Sequence, residues 1–102
     1  MFIVAVTACP TGVAHTYMAR EKLVQAAQKR GIEIKVETQG STGRESEITA
    51  DDVARADAAI IAADVTIAGM ERFAELPTLE CSLAEAIKKT NNLFNEVIEA
   101  VS

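Results

Sequence analysis

Hydrophobic and polar residues follow two kinds of pattern along the chain, one typical of strands and one typical of helices. Residues 3–6 are continuously apolar, as in a strand covered on both faces, and residues 58–63 form a second such run. Residues 32–37 alternate strictly between apolar and polar side chains, which predicts a strand with one buried and one solvated face. The short stretch 78–81 completes a set of four predicted strands.

The segments between these strands carry apolar side chains at the spacing of a helix. Residues 13–30 place apolar side chains on one side and charged side chains on the other, and Gly31 suits the left-handed end of a helix. Capping-box patterns at residues 49–52 and 82–85 predict the starts of a short helix and of a long C-terminal helix. A further, weakly patterned helix is expected at residues 66–75.

Strands that alternate with helices predict an α/β fold with right-handed crossovers and a parallel sheet. The two fully apolar strands belong in the middle, and the half-polar or short strands belong at the edges. The prediction is a four-stranded parallel sheet of order 2-1-3-4 with helices on both faces and the loop of Cys9 at the carboxyl end of strand 1. Residues 1–102 are expected to form a single domain, because the chain is long enough for one core and shows no linker or repeat.

Charge and composition narrow the classes of function. A net charge of −5 disfavours nucleic acid and anionic membrane surfaces as partners, although a local basic patch could still dock an acidic protein face. No apolar run reaches the ~18 residues of a membrane helix, and Met1 leads directly into a strand without the features of a signal peptide. One histidine and two distant cysteines cannot form a four-ligand metal site, and no organic cofactor is indicated. We therefore expect a cytoplasmic protein with no cofactor and no direct membrane insertion.

The candidate chemistry lies in the turn after the first strand. A lone cysteine at a strand end is often a small buried hydrophobe, but Cys9 is followed by a Pro-Thr-Gly turn and a helix. A thiol that faces a helix N-terminus is shifted toward the nucleophilic thiolate, and the backbone N–H groups of such a turn can hold a phosphate. The residues predicted to line this phosphate loop are Pro10, Thr11, Gly12, Val13, Ala14, His15 and Thr16.

Other polar residues are expected near the same end of the sheet. Tyr17 is predicted to lie in the core, and Asp64 is predicted to cap a turn or a helix. Cys81 lacks the neighbours of Cys9, so it is predicted to be structural and, at two strand spacings, too distant for a disulfide. Residues 38–44 are predicted to form a polar, glycine-containing loop after the second strand. The candidates for partner docking or for a second loop of the site are Gln39, Gly40, Gly43 and Arg20.

Two sequence motifs, taken together, resemble those of a known family. Residues 9–16 read Cys-Pro-Thr-Gly-Val-Ala-His-Thr, and residues 36–40 read Val-Glu-Thr-Gln-Gly, with Gly43 shortly after. This combination resembles the fructose-family IIB component of the bacterial phosphoenolpyruvate-dependent sugar phosphotransferase system. Residues 48–63 and the Arg72-Phe73 pair extend the resemblance over nearly the whole chain.

The resemblance implies a mechanism and partners. A phosphohistidine on a partner IIA domain would donate its phosphoryl group to Cys9, and a sugar bound in the membrane-embedded IIC component would receive it. The chain would be a free-standing transferase subunit, cytoplasmic and peripheral to the membrane through IIC. Many members carry asparagine where Ser46 stands, so a fructose-like paralogue fits as well as a fructose transporter subunit.

The residues also leave two other functions open. The spacing Cys-x5-His-Thr resembles the loop of tyrosine phosphatases, which suggests a small cysteine-dependent phosphatase, but His15 stands where an arginine would clamp phosphate. The second alternative is a non-catalytic anion-binding module in which Cys9 is only structural.

Overall fold

A computed structural model describes residues 1–8, 13–40 and 43–101, with side chains at all of these positions except 13–15, 40, 43 and 44. The strands are β1 (Phe2–Ala8), β2 (Glu33–Gly40), β3 (Gly43–Glu45), β4 (Ala58–Ala63) and β5 (Thr78–Cys81). The helices are α1 (Val13–Lys29), α2 (Ala50–Arg55), α3 (Leu83–Lys88) and α4 (Thr90–Val101), and a 3₁₀ turn spans Met70–Phe73.

The strands form one sheet in the order β3-β2-β1-β4-β5. β1, β2, β4 and β5 are mutually parallel, which confirms the four predicted parallel strands and their order. β1 is central, and all seven of its residues are buried. Its last residue, Ala8, lies opposite Gln39 of β2 and Ala63 of β4, so three carboxyl ends meet at the residue that precedes Cys9.

A short fifth strand extends the sheet where a loop was predicted. β2 continues through Gly40, and β3 returns antiparallel to it, with Thr38 opposite Glu45. The prediction of a loop was wrong for residues 38–40 and 43–44, because their glycines and polar side chains carry no strand periodicity, and residues 41–42 lie outside the described residues. Ser46 ends β3 with a left-handed backbone conformation, at a φ of 54°.

Helices cover both faces of the sheet, as predicted. β1 contributes to both faces because successive side chains of a strand point in opposite directions. Under α1, α3 and α4 lies a core cluster that includes Ile3, Ala5, Leu23, Val36, Ile60, Leu83 and Phe94. Under α2 and the 3₁₀ turn lies a second cluster that includes Val4, Val6, Ile48, Ile61, Ile67 and Phe73.

Two helix predictions were wrong in extent. The segment 66–75 contains only the 3₁₀ turn, because Gly69 takes a left-handed φ of 75° immediately before it. The predicted long C-terminal helix is divided at Lys89, whose φ of −121° and ψ of 36° are not helical. The hydroxyl of Thr90 donates to carbonyl oxygens of the preceding turn, and so takes acceptors that a continuous helix would use.

The predicted helix starts are confirmed. Thr49 and Asp52 form a complete capping box at α2, and Ser82 and Glu85 form another at α3. Within the described ranges, no helix combines the length and the apolar character needed to cross a bilayer.

Candidate functional site

The candidate site lies at the carboxyl edge of the sheet, where β1 ends. The carbonyl oxygen of Ala8 accepts a hydrogen bond of 3.2 Å from the N–H of Asp64, which follows β4. Cys9, Pro10, Thr11 and Gly12 lie outside the described residues, and only the backbone is described for Val13, Ala14, His15, Gly40 and Gly43. The roles assigned to them stay predictions.

The first turn of α1 is tied to the end of β1. Thr16 is fully buried, and its carbonyl oxygen accepts a hydrogen bond of 3.3 Å from the hydroxyl of Thr7. Arg20, one turn further along, is partly exposed and lines a groove on the outer face of α1 together with Tyr17 and Gln25. Thr16 therefore lies in the interior at the base of the predicted phosphate loop, whereas Arg20 lies at the surface.

Tyr17 does not lie in the core, where it was expected. Its side chain is 37% exposed, and its hydroxyl donates a 2.6 Å hydrogen bond to Oε2 of Glu45. This hydrogen bond, with partial desolvation and the charge of the carboxylate, raises the pKa of Tyr17. The bond therefore joins α1, which begins with predicted phosphate-loop residues, to β3, which begins with the docking candidate Gly43.

A buried carboxylate lies two residues before Gln39. The alternating pattern of β2 put Glu37 on a solvated face, but its side chain is 0% exposed. Its oxygens accept hydrogen bonds from the Arg72 guanidinium at 2.8 and 3.1 Å, from Gln39 Nε2 at 2.6 Å and from the Ile48 N–H at 2.8 Å. Burial alone would raise the pKa of Glu37, but these donors and the charge of Arg72 outweigh it, and the pKa is lowered.

Arg72 uses all of its donors within the protein. A guanidinium has five N–H groups. Nε donates to the Gly69 carbonyl at 2.7 Å, Nη1 to Glu37 and to the Ile48 carbonyl at 2.9 Å, and Nη2 to Glu37 and to the Ala68 carbonyl at 3.1 Å. Arg72 therefore has no N–H group left for a phosphate at this edge.

Gln39 binds the backbone of a second segment. Its Nε2 donates to the Ala68 carbonyl at 3.0 Å, and its Oε1 accepts from the Ala68 N–H at 2.9 Å. We call Glu37, Gln39 and Arg72 the edge clamp, because together they hold the end of β2 against Ile48 and Ala68. Periodicity could not reveal it, since Glu37 and Arg72 are 35 positions apart.

The remaining polar candidates have structural partners. Asp64 accepts a 3.3 Å hydrogen bond from the Leu83 N–H at the start of α3, which confirms its predicted capping role. Cys81 is a partly buried free thiol, and burial, together with nearby carboxylates, raises its pKa to about 11. This agrees with a structural role. Among the described residues, no group of three His, Cys, Asp or Glu side chains could hold a metal ion.

Comparison with protein families decides the class of the chain. The family model for the lactose/cellobiose-specific IIB subunit of the phosphotransferase system (PTS) matches residues 4–96. The chain belongs to the IIB family. As a IIB component it is a transferase of sugar phosphotransfer, and the fold described above is the fold of that family.

Individual relatives agree with this assignment. The IIB chain is 50% identical over 95 residues to the PTS system fructose-like EIIB component 2 of Escherichia coli strain K12, covering 93% of this chain and 90% of the relative. It is 51% identical over 96 residues to the fructose-specific EIIB'BC component of the same strain, covering 94% of this chain and 17% of the relative. The crystal structure of a domain from the fructose-specific IIABC component of Borrelia burgdorferi matches with a TM-score of 0.91 at 43% identity, covering 96% of this chain and 93% of that one.

The comparisons agree on the IIB class and differ on the sugar. The family model carries the names lactose and cellobiose, whereas these relatives carry the name fructose.

Proposed function

We propose that Cys9 carries the phosphoryl group between two protein partners. The Cys9 thiolate attacks the phosphorus of a phosphohistidine on a IIA partner, so an S–P bond forms while the N–P bond breaks and the imidazole keeps the electron pair. A hydroxyl of fructose or of a fructose-like sugar, bound by a membrane IIC partner, then attacks the phosphorus and releases its proton to water. The S–P bond breaks, and sulfur leaves as the thiolate.

The end of β1 is the observation that carries this proposal. Ala8 lies at the carboxyl edge between β2 and β4, and α1 begins only five positions later, at Val13. In parallel α/β sheets, ligands bind outside the carboxyl ends of the strands. Cys9 is the residue that follows Ala8 in the chain, which favours it over Cys81, whose raised pKa keeps it protonated at neutral pH.

Backbone N–H groups would hold the transferred phosphate. The first turn of α1 contains no acidic residue, so its unpaired N–H groups and the positive end of the helix dipole favour an anion there. In this proposal Pro10 shapes the turn, since proline has no N–H group to donate, and the phosphate is bound by the loop residues that follow it, which are Thr11, Gly12, Val13, Ala14, His15 and Thr16.

A carrier fits the described edge better than a phosphatase does. The guanidinium of Arg72 lies at this edge, but each of its N–H groups already has an acceptor, so it cannot clamp a phosphate as a phosphatase arginine does. The phosphoprotein should therefore persist in buffer until a sugar-loaded IIC partner is added. Rapid release of inorganic phosphate without an acceptor would support the phosphatase instead.

Partners would dock at the same edge, on the cytoplasmic side of the membrane. Met18, which is 47% exposed, lines a groove at this edge together with Asp64 and Leu83, and methionine is enriched at protein interfaces. The proposed docking residues are Arg20, Gly40 and Gly43. Residues 1–102 act in this proposal as one carrier domain that reaches the membrane through its IIC partner.

The two cysteines provide a matched test. The wild-type chain, Cys9→Ser and Cys81→Ser are each incubated with phosphoenolpyruvate, the general phosphotransfer proteins and a IIA protein, and their intact masses are measured. We expect one added phosphoryl group on the wild type and on Cys81→Ser, and none on Cys9→Ser. Equal loading of all three chains would contradict the proposal, whereas anion binding by all three without loading would support the non-catalytic module.

A further inference from the structure

We propose that Gln39 is a positioning residue for phosphoryl transfer, and that it acts by fixing residues 64–69 next to the end of β1, which Cys9 follows in the chain. This inference rests on the proposed function. It assigns Gln39 a role within the protein rather than in contact with a docked partner.

The hydrogen bonds of Gln39 determine how its amide is oriented. The Glu37 carboxylate and the Ala68 carbonyl are acceptors only, so both N–H groups of Nε2 must face them. The Ala68 N–H is a donor, so Oε1 must face it. Because both amide N–H groups are used, Gln39 has no donor left to offer to a partner protein.

The rest of the edge clamp keeps Gln39 in place. Glu37 is fully buried, and its Oε2 accepts from both Gln39 and Arg72. Arg72 in turn donates to the Ala68 and Gly69 carbonyls. Residues 68 and 69 are therefore held by two side chains that share one carboxylate, and loss of Gln39 removes both bonds from the amide to Ala68.

The held segment runs along the edge of the sheet where β1 ends at Ala8. At one end, the Asp64 N–H donates to the carbonyl of Ala8. At the other end, Ala68 is bound to Gln39, which lies opposite Ala8 in the register of β1 and β2. Residues 64–68 thus connect the ends of three neighbouring strands around the residue that precedes Cys9.

Phosphoryl transfer depends mainly on positioning, so a looser segment should slow the chemical step more than it weakens docking. The first variant is Gln39→Leu, which replaces the amide with a slightly smaller apolar side chain that has no hydrogen-bonding atom. The matched control is Lys35→Met on the same strand, which removes the 2.6 Å bond to Asp52, away from the carboxyl edge.

The experiment measures initial rates of transfer from a phosphorylated IIA protein to the folded chain over a range of donor concentrations. For Gln39→Leu we expect roughly a 10- to 100-fold lower kcat, with the KM for the donor changed by less than about threefold. Hydrogen exchange at the Ala68 amide should accelerate. Lys35→Met should keep the wild-type kcat and the wild-type exchange at Ala68.

A second variant provides a pH signature that a loss of folding would not produce. In Gln39→Glu, a carboxylate faces Glu37 and the Ala68 carbonyl, so the variant should transfer slowly at pH 8. Repulsion raises the pKa of the new carboxyl group, and once protonated it becomes a donor again. We therefore expect its rate, relative to wild type, to rise as the pH falls from 8 to 6.

The outcomes separate this inference from the proposed function. A kcat for Gln39→Leu within about twofold of wild type, or an effect on KM alone, would overturn the positioning role. A relative rate of Gln39→Glu that does not change with pH would do the same. If the wild type accepts no phosphoryl group on Cys9, the proposed function fails, whatever the Ala68 exchange shows.

Discussion

The buried ion pair between Glu37 and Arg72 leads to a specific prediction about Arg72→Met. The substitution removes five hydrogen bonds and leaves the Glu37 carboxylate, which is 0% exposed, with donors only from Gln39 and Ile48. Removing one partner of a buried pair typically destabilises a protein by about 3–5 kcal/mol. Total stabilities of domains are about 5–15 kcal/mol, so a large part of this one would be lost.

The loss of unfolding free energy in Arg72→Met should depend on pH, and the direction of this dependence follows from the pKa of Glu37. In the wild type this pKa lies below its ordinary value of 4.5, so the pair stabilises the fold above that pH, and the contribution is lost as the pH falls through the folded-state pKa. In Arg72→Met, burial acts on Glu37 without the arginine to oppose it, and its pKa should rise above 4.5. The variant should then become more stable as the pH falls from 7 toward 5.

Urea unfolding of the wild type and Arg72→Met between pH 5 and 8 measures this effect directly. We expect the difference in the free energy of unfolding to be largest near neutrality and to shrink toward pH 5. The control is Arg55→Met, which breaks the exposed pair of Arg55 with Glu33 at 2.9 Å and should cost less than about 1 kcal/mol. A loss for Arg72→Met below about 1 kcal/mol, or one that does not change with pH, would refute the reasoning.

Three further predictions follow from local geometry. Gly69→Ala should destabilise the chain more than Gly31→Ala: both glycines have a positive φ, but at Gly69 the new Cβ would also lie 2.6 Å from Arg72 Nε. Thermal unfolding compares the two variants, and equal losses of stability would contradict the predicted clash. Alkylation of Cys81 by iodoacetamide at pH 8 should be on the order of 100-fold slower in the folded than in the denatured chain, since its pKa is about 11; peptide mass mapping measures the rates, and equal rates would contradict the raised pKa. Ser46→Asn should stabilise the fold by roughly 0.5 kcal/mol, because asparagine tolerates the left-handed conformation at a φ of 54°; unchanged or reduced stability in urea would count against this.

The parallel sheet could be predicted because its signals are local. The continuous apolar runs of β1 and β4 required burial on both faces, and this placed them in the centre of the sheet. The capping boxes at Thr49 and Ser82 likewise involve only neighbouring residues, so the starts of α2 and α3 were predicted correctly.

The errors arose where tertiary contacts override local pattern. Glu37 occupies a position that alternation assigns to solvent, and only the distant Arg72 makes its burial favourable. Tyr17 is aromatic and near the core, yet its hydroxyl pairs with Glu45 on a strand that the sequence did not predict. The edge clamp could not be found from periodicity, because its members are joined through three dimensions.

The central claim is that Cys9 carries the phosphoryl group. After loading from phosphoenolpyruvate through a IIA protein, tandem mass spectrometry of peptides from the wild-type chain locates the group. We expect it on the sulfur of Cys9 and on no other residue. Its presence on His15, on Cys81 or on a hydroxyl group, with Cys9 unmodified, would contradict the mechanism.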